Sequence, residues 1–244
     1  WSTPGAALVA ATTGISMNEA VGAFVVTGLL IALTGALKPL GRAVALIPDG
    51  IAAGMLAGVL LPFCLKASAA VQDLPTLLLP MVAVFLLVRL KNPALAVLAA
   101  LATGLLLAYA TGAAVLPPLA LPLPTMEYIR PAFRVDVLIG LALPLYLVTM
   151  ASQNLPGFAT VRAAGYTPPV REALAVTGGI SAIAGLFGAH TISMAAITAA
   201  ICMGDDVHPD RDQRWKVGFA YAATWAVLGL LGPLILALLA GLPP

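Results

Sequence analysis

Apolar segments follow one another along most of the chain, with only short polar stretches between them. An α-helix of about 20 apolar residues crosses a hydrocarbon core about 30 Å thick. The pattern predicts membrane-spanning helices at residues 18–37, 48–66, 73–90, 93–112, 134–153, 171–187 and 216–240. Two shorter apolar pieces, residues 3–13 and 190–203, are also predicted to be membrane elements. The predicted fold class is therefore an all-α polytopic membrane protein.

Composition supports a surface that faces lipid. Hydrophobic residues make up 61% of the chain and charged residues only 9%, whereas a soluble domain is about one quarter charged. The spans carry no paired acids, Ser/His/Asp set or metal-ligand spacing, so neither an enzyme nor a cofactor nor a metal is predicted. Cys64 and Cys202 lie in apolar runs and are expected to be small packing residues. The first residues read as the inside of a membrane segment and the last as the approach to another, so we expect a fragment.

The basic residues predict the orientation of the spans. If every segment, including the two short pieces, crosses the membrane, nine of the twelve Lys and Arg residues fall on one side. These are Lys38, Arg42, Arg89, Lys91, Arg162, Arg171, Arg211, Arg214 and Lys216. Cytoplasmic loops are enriched in Lys and Arg, so this side is predicted to be cytoplasmic. The charged stretch between the second short piece and the last span is expected to be a solvated loop.

The two short pieces resemble each other in context. One reads Ser2-Thr3-Pro4-Gly5-Ala6-Ala7-Leu8, and the other reads Gly188-Ala189-His190-Thr191-Ile192-Ser193-Met194-Ala195. They stand seven segments apart and so run in opposite directions, which is typical of an inverted repeat with a binding site between two broken helices. Helix N-termini attract anions through unpaired N–H groups and the helix dipole. The alternative interpretation is two short packing helices.

A proline-rich connector separates the two groups of spans. The stretch 113–133 cannot form a regular helix because of its prolines, which are Pro117, Pro118, Pro122, Pro124 and Pro131. We therefore predict a partial first inverted repeat at residues 1–112 and a partial second one at 134–244. The connector is expected on the extracytoplasmic side.

Three stretches resemble the benzoate:proton symporter family of the BenE type, within the nucleobase–ascorbate-transporter-like group. They are residues 1–8, the sequence Ala151-Ser152-Gln153-Asn154-Leu155-Pro156-Gly157, and residues 188–202, followed by the tail 204–210. The resemblance implies two inverted repeats of seven helices, divided into a core and a gate domain, of which this chain covers the third to the eleventh helix. It also implies uptake of an aromatic monocarboxylate with protons across the bacterial inner membrane.

The predicted substrate-binding residues come from the two short pieces and from the polar end of the 134–153 span. They are Ser2, Thr3, Pro4, Gly5, Ser152, Gln153, Asn154, His190, Thr191 and Ser193. His190 is also the candidate for proton coupling, because an ionisable side chain at membrane depth is a functional hypothesis and His titrates near neutral pH. The alternatives are a neutral structural His190 and a polar triplet that only caps its helix.

The leading interpretation is a proton-coupled symporter whose partners are a small aromatic carboxylate, a proton and the lipid bilayer. A nucleobase-type proton symporter is the first alternative, and a passive anion channel is the second. A channel would need a continuous polar face, whereas the polar residues here stand in separate clusters. No nucleic-acid partner is expected, and a homodimer stays open.

Overall fold

The computed structural model describes residues 2–37, 39, 49–114, 124–205 and 207–241. Within these ranges the chain forms helices, turns and extended segments, without β-strands. In chain order the helices are α1 (Thr3–Ala11), α2 (Met17–Ala36), α3 (Asp49–Asp73), α4 (Pro75–Lys91), α5 (Pro93–Ala110), α6 (Val135–Ala163), α7 (Val170–Gly185), α8 (Ala196–Cys202), α9 (Val217–Leu230) and α10 (Gly232–Ala240), with a 3₁₀ helix at Arg211–Lys216 before α9. The all-α prediction is confirmed for these ranges.

Two helices in the described part are long and apolar enough to cross a membrane, namely α2 and α6. A third candidate is the pair formed by Arg211–Leu230 and Gly232–Ala240, which are bent by 57° relative to each other. The span predicted at 216–240 is therefore broken into two helices. The break lies at Leu231, and Pro233 stands in the first turn of α10, a position that proline tolerates because no helical N–H bond is needed there.

The prediction that a helix ends at residue 153 is also wrong, because α6 continues to Ala163. The helix contains two π-helical turns, Leu138–Ala142 and Met150–Asn154. Each turn ends two residues before a proline, Pro144 or Pro156. Proline cannot donate a helical hydrogen bond, and the wider π turn allows the helix to continue past the missing bond. The polar triplet at 152–154 consequently lies inside α6 rather than at its end.

The chain forms two compact units. The first comprises residues 1–61 and 126–218, and the second comprises residues 62–125 and 219–244. In the first unit the backbones of α2 and α7 pack closely against each other. Tyr146 of α6 lies in a buried apolar cluster with Ile31 of α2. The Tyr146 hydroxyl lies 2.7 Å from Thr34 Oγ1 in this cluster, so the polar end of the ring is satisfied. In the second unit α4 packs against α5.

Contacts at the two ends of the first unit agree with the predicted alternation of sides. At one end, Arg134 forms an ion pair with Glu19 at 2.8 Å, which places the start of α2 beside the connector. At the other end, the Arg211 Nη2 donates to the carbonyl of Gly165 at 2.6 Å. The loop after α6 and the loop after α8 thus lie at the same end, as expected if residues 190–203 cross the membrane back after α7. The connector stretch 115–123, Lys38 and Arg42 lie outside the described residues.

Candidate functional site

The two short elements contact each other directly at Ser2 and Thr191, and this contact is termed the crossing. The backbone N–H of Ser2 donates to the carbonyl of Thr191 at 3.2 Å. Both residues are fully buried. This contact confirms that the starts of the two elements lie together, as their matching context predicts. The inverted repeat itself stays a prediction.

The first element is a capped helix that is pressed against α6. Ser2 is the N-cap of α1, and its Oγ accepts from the Gly5 N–H at 3.1 Å. Pro4 stands in the first turn, and Pro4 and Gly5 are both buried. A β-carbon on Gly5 would lie 2.7 Å from Leu145 Cδ1, so glycine permits the close approach of α1 to α6. Thr3, by contrast, is exposed.

The second element is extended rather than helical over residues 189–195, and α8 begins only at Ala196. Two of its backbone N–H groups, those of Ile192 and Met194, donate to side chains of neighbouring helices, which lowers the cost of non-helical backbone in a membrane. Ser181 Oγ on α7 accepts from the Ile192 N–H at 2.8 Å. Thr149 Oγ1 on α6 lies 3.2 Å from Thr191 Oγ1, and both residues are fully buried.

Asn154 attaches the same element to the π turn of α6. Its Oδ1 accepts from the Met194 N–H at 2.9 Å, and its Nδ2 lies 3.1 Å from the Met150 sulfur. The residue is fully buried. One turn further along, a β-carbon on Gly157 would lie only 2.7 Å from Met194 Cβ. The part of α6 between Thr149 and Gly157 therefore holds the extended segment 189–195 in place.

The other predicted site residues are sequence neighbours of Thr191, Met194 or Asn154. Ser152 Oγ donates to the carbonyl of Val148 in its own helix at 2.5 Å. Gln153 and His190 are half-buried. Ser193 Oγ is buried and has no hydrogen-bond partner among the residues that the structure describes. Substrate contact by any of these side chains stays a prediction.

Three residues of the crossing escaped the sequence interpretation, namely Thr149, Ser181 and Gly157. The roles of Thr149 and Ser181 could not be recognised, because Ser and Thr hydroxyls in a helix commonly bond to the preceding turn. Ser181 does this as well, since it donates to the Thr177 carbonyl at 2.7 Å. The sequence signals were the position of Thr149, three residues before the polar triplet at 152–154, and the place of Gly157 in the stretch that resembles the family.

We expect Asn154→Ala to loosen the extended segment more than Ser152→Ala, although both residues lie in one π turn. Loss of Asn154 leaves the part-buried Met194 N–H without its acceptor, which costs about 1–3 kcal/mol if water does not replace the bond. Ser152 bonds only within its own helix, so its removal is expected to be nearly neutral. Thermal unfolding of the full-length protein in detergent measures the difference. Equal melting temperatures for the two variants would contradict this role of Asn154.

The contact between the two short elements contains hydroxyl and backbone N–H groups, and the N-terminus of α1 lies at this contact. In the ranges that the structure covers, no cluster of three or more His, Cys, Asp or Glu residues could hold a metal ion.

Known proteins provide an independent comparison. A family model described as "Benzoate membrane transport protein" matches residues 1–244. The chain is 41% identical over 244 residues to "Inner membrane protein YdcO" of Escherichia coli (strain K12). It is 35% identical over 244 residues to "Benzoate membrane transport protein" of Acinetobacter baylyi (strain ATCC 33305 / BD413 / ADP1). Each alignment covers 100% of this chain and 62% of the relative's length. No solved structure gives a significant match.

Proposed function

Since the chain belongs to the benzoate membrane transport protein family, we propose that the full-length protein is a secondary transporter for benzoate or a similar aromatic carboxylate. Uptake is coupled to protons, and the substrate binds where the two broken elements cross. The family also locates the chain in the inner membrane as a multi-pass protein, in agreement with its apolar helices.

The direct contact between Ser2 and Thr191 is the observation that carries the site. It brings the capped N-terminus of α1 to the extended segment of the second element. A carboxylate there would accept hydrogen bonds from hydroxyl groups and would be favoured by the α1 dipole. Ser193 supports this position, because its buried Oγ is available to donate to such an anion. A buried Lys or Arg would then not be required.

Several finer features belong to the same proposal. The two broken elements are equivalent halves of an inverted repeat of seven helices each, in the manner of nucleobase–ascorbate transporters. The first compact unit, which contains both elements, corresponds to a core domain, and the second unit corresponds to a gate domain. His190, which precedes Thr191, carries the coupled proton.

Uptake of labelled benzoate into proteoliposomes is the test of this proposal. With the full-length protein and an inward proton gradient, we expect saturable accumulation of benzoate that stops when an ionophore removes the gradient. Excess uracil should not compete with it. Competition by uracil would favour a nucleobase symporter, and flux that never concentrates benzoate would favour a channel.

A further inference from the structure

We propose that Arg214 is a positioning residue for the transport site, through a loop whose described residues, 203–205 and 207–216, fix α8 to the end of α6. The inference rests on the transport function proposed above. It concerns residues outside the crossing, at the end of the first unit that is predicted to be cytoplasmic.

The guanidinium of Arg214 is the buried centre of this loop. The residue is only 7% exposed. Its Nε donates to the His208 carbonyl at 2.8 Å, and its Nη1 donates to the Met203 carbonyl at 2.6 Å. Its Nη2 donates to the carboxylate of Asp205. The expectation of a fully solvated loop is therefore wrong for Arg214, because its charge is used to organise the loop from inside.

One of these bonds reaches the end of the second broken element. Met203 is the C-cap of α8, where the last carbonyl groups of a helix have no partner inside the helix. A cation at this end is also favoured by the helix dipole. The planar guanidinium can serve several acceptors at once, which a lysine ammonium cannot match geometrically. Arg214 thus holds the C-terminus of α8 by one hydrogen bond and by its charge.

A second arginine attaches the same loop to the turn that follows α6. Arg211 donates from Nη2 to the Gly165 carbonyl at 2.6 Å, and its guanidinium lies 4.7 Å from the centre of the Tyr166 ring. The Tyr166 hydroxyl donates back to the Arg211 carbonyl at 2.9 Å. Gly165 has φ +82°, a conformation that favours glycine. The loop is therefore fixed to α6 by reciprocal bonds and a cation–π contact.

These contacts bear on the site because α8 is short. It has seven residues, or about 10 Å of helix, and it begins two positions after Met194. α6 carries Thr149 and Asn154, which hold the segment from Thr191 to Met194. The loop consequently joins the far ends of α6 and α8, so that the two helices keep their relative position when the protein changes conformation.

The test combines transport with the accessibility of Cys202, the last residue of α8. Full-length protein with Cys202 as its only cysteine is reconstituted, and KM and kcat for benzoate are measured beside the rate of Cys202 alkylation. For Arg214→Gln we expect KM to rise about tenfold, with a smaller fall in kcat, and Cys202 to react several-fold faster. Arg214→Lys should lie between this variant and the wild type, because it keeps the charge but not the planar fork.

Two matched controls separate this role from a general loss of charge. Arg162→Gln removes an exposed cation near the same turn. Asp205→Asn weakens only the ion pair with Arg214. The Asp205 side chain is 94% exposed, so this ion pair contributes little to stability. Both are expected to keep wild-type KM and Cys202 reactivity.

Unchanged Cys202 reactivity in Arg214→Gln would overturn the proposal, and so would faster alkylation with a wild-type KM. If the Arg214→Gln protein cannot be produced in folded form, Arg211→Gln tests the attachment of the loop to the turn after α6 with the same two measurements. If the wild type does not take up benzoate, the proposed function fails, whereas the alkylation rates still decide whether Arg214 holds α8.

Discussion

Replacement of His190 by alanine is expected to weaken benzoate binding by about tenfold to a hundredfold, or to abolish proton coupling, while expression stays normal. A hydrogen bond to a charged group contributes about 1.5–3 kcal/mol, which corresponds to this range of affinity. His190 directly precedes Thr191 in the extended segment and is half-buried. In the proposed function, both the carboxylate and the coupled proton reach this position.

The glutamine variant separates binding from proton transfer. His190→Gln keeps a hydrogen-bond donor but cannot titrate, so we expect benzoate binding to persist while the dependence of uptake on external pH is lost. His208→Gln is the control, because His208 is the other histidine of the chain and bonds within its own loop, where its Nδ1 accepts from the Asp210 N–H. Its uptake should keep the wild-type pH dependence. Normal affinity and normal pH dependence in His190→Ala would assign His190 a structural role.

The long helices could be predicted from the sequence because hydrophobic runs of membrane-spanning length leave few alternatives. The span predicted at 18–37 is observed as Met17–Ala36, and the span at 171–187 as Val170–Gly185. The contact between the starts of the two short elements could be predicted from their spacing and orientation. These features depend on local pattern and on the count of crossings, both of which are visible in one sequence.

The end of α6 could not be predicted in the same way. Pro156 is a signal for the end of a helix, yet the helix continues. Met150, the first residue of the π turn, and Phe158, two residues after Pro156, are both buried in one apolar cluster. Tertiary packing thus overrides a local signal. The consequence for the site is direct, since this π turn places Asn154 where it bonds to Met194.

The polar contacts of the site were equally inaccessible to sequence reasoning. Thr149 and Ser181 look like ordinary helix hydroxyls until a partner segment is placed against them. Arg214 looks like one of several loop cations until the loop folds around it. In each case the residue type allows two roles, and only the three-dimensional partner decides between them.

The close packing of α2 on α7 predicts a large difference between two adjacent glycines. A β-carbon on Gly178 would collide with the backbone nitrogen of Ala32 and with the carbonyl of Gly28, whereas a β-carbon on Gly179 would meet nothing within 4 Å. Backbone atoms cannot move aside as the end of a flexible side chain can. The two helices must therefore separate if Gly178 gains a side chain, and the buried cluster that they share with α6 is then disrupted.

We expect Gly178→Ala to destabilise the protein by about 1–3 kcal/mol or more, as overpacking of a tight core does, with lower expression and a lower melting temperature. Gly179→Ala is the matched control on the same helix, and it should be neutral or stabilising by about 0.5–1 kcal/mol, because alanine restricts the unfolded chain more than glycine does. Thermal unfolding of both full-length variants in detergent compares them directly. A melting temperature for Gly178→Ala equal to that of Gly179→Ala would show that α2 and α7 are not in backbone contact. Ser181 lies on α7 one turn from Gly178, and its Oγ accepts from the Ile192 N–H at 2.8 Å. Equal melting temperatures would therefore also argue against the position of α7 from which Ser181 bonds to the second element.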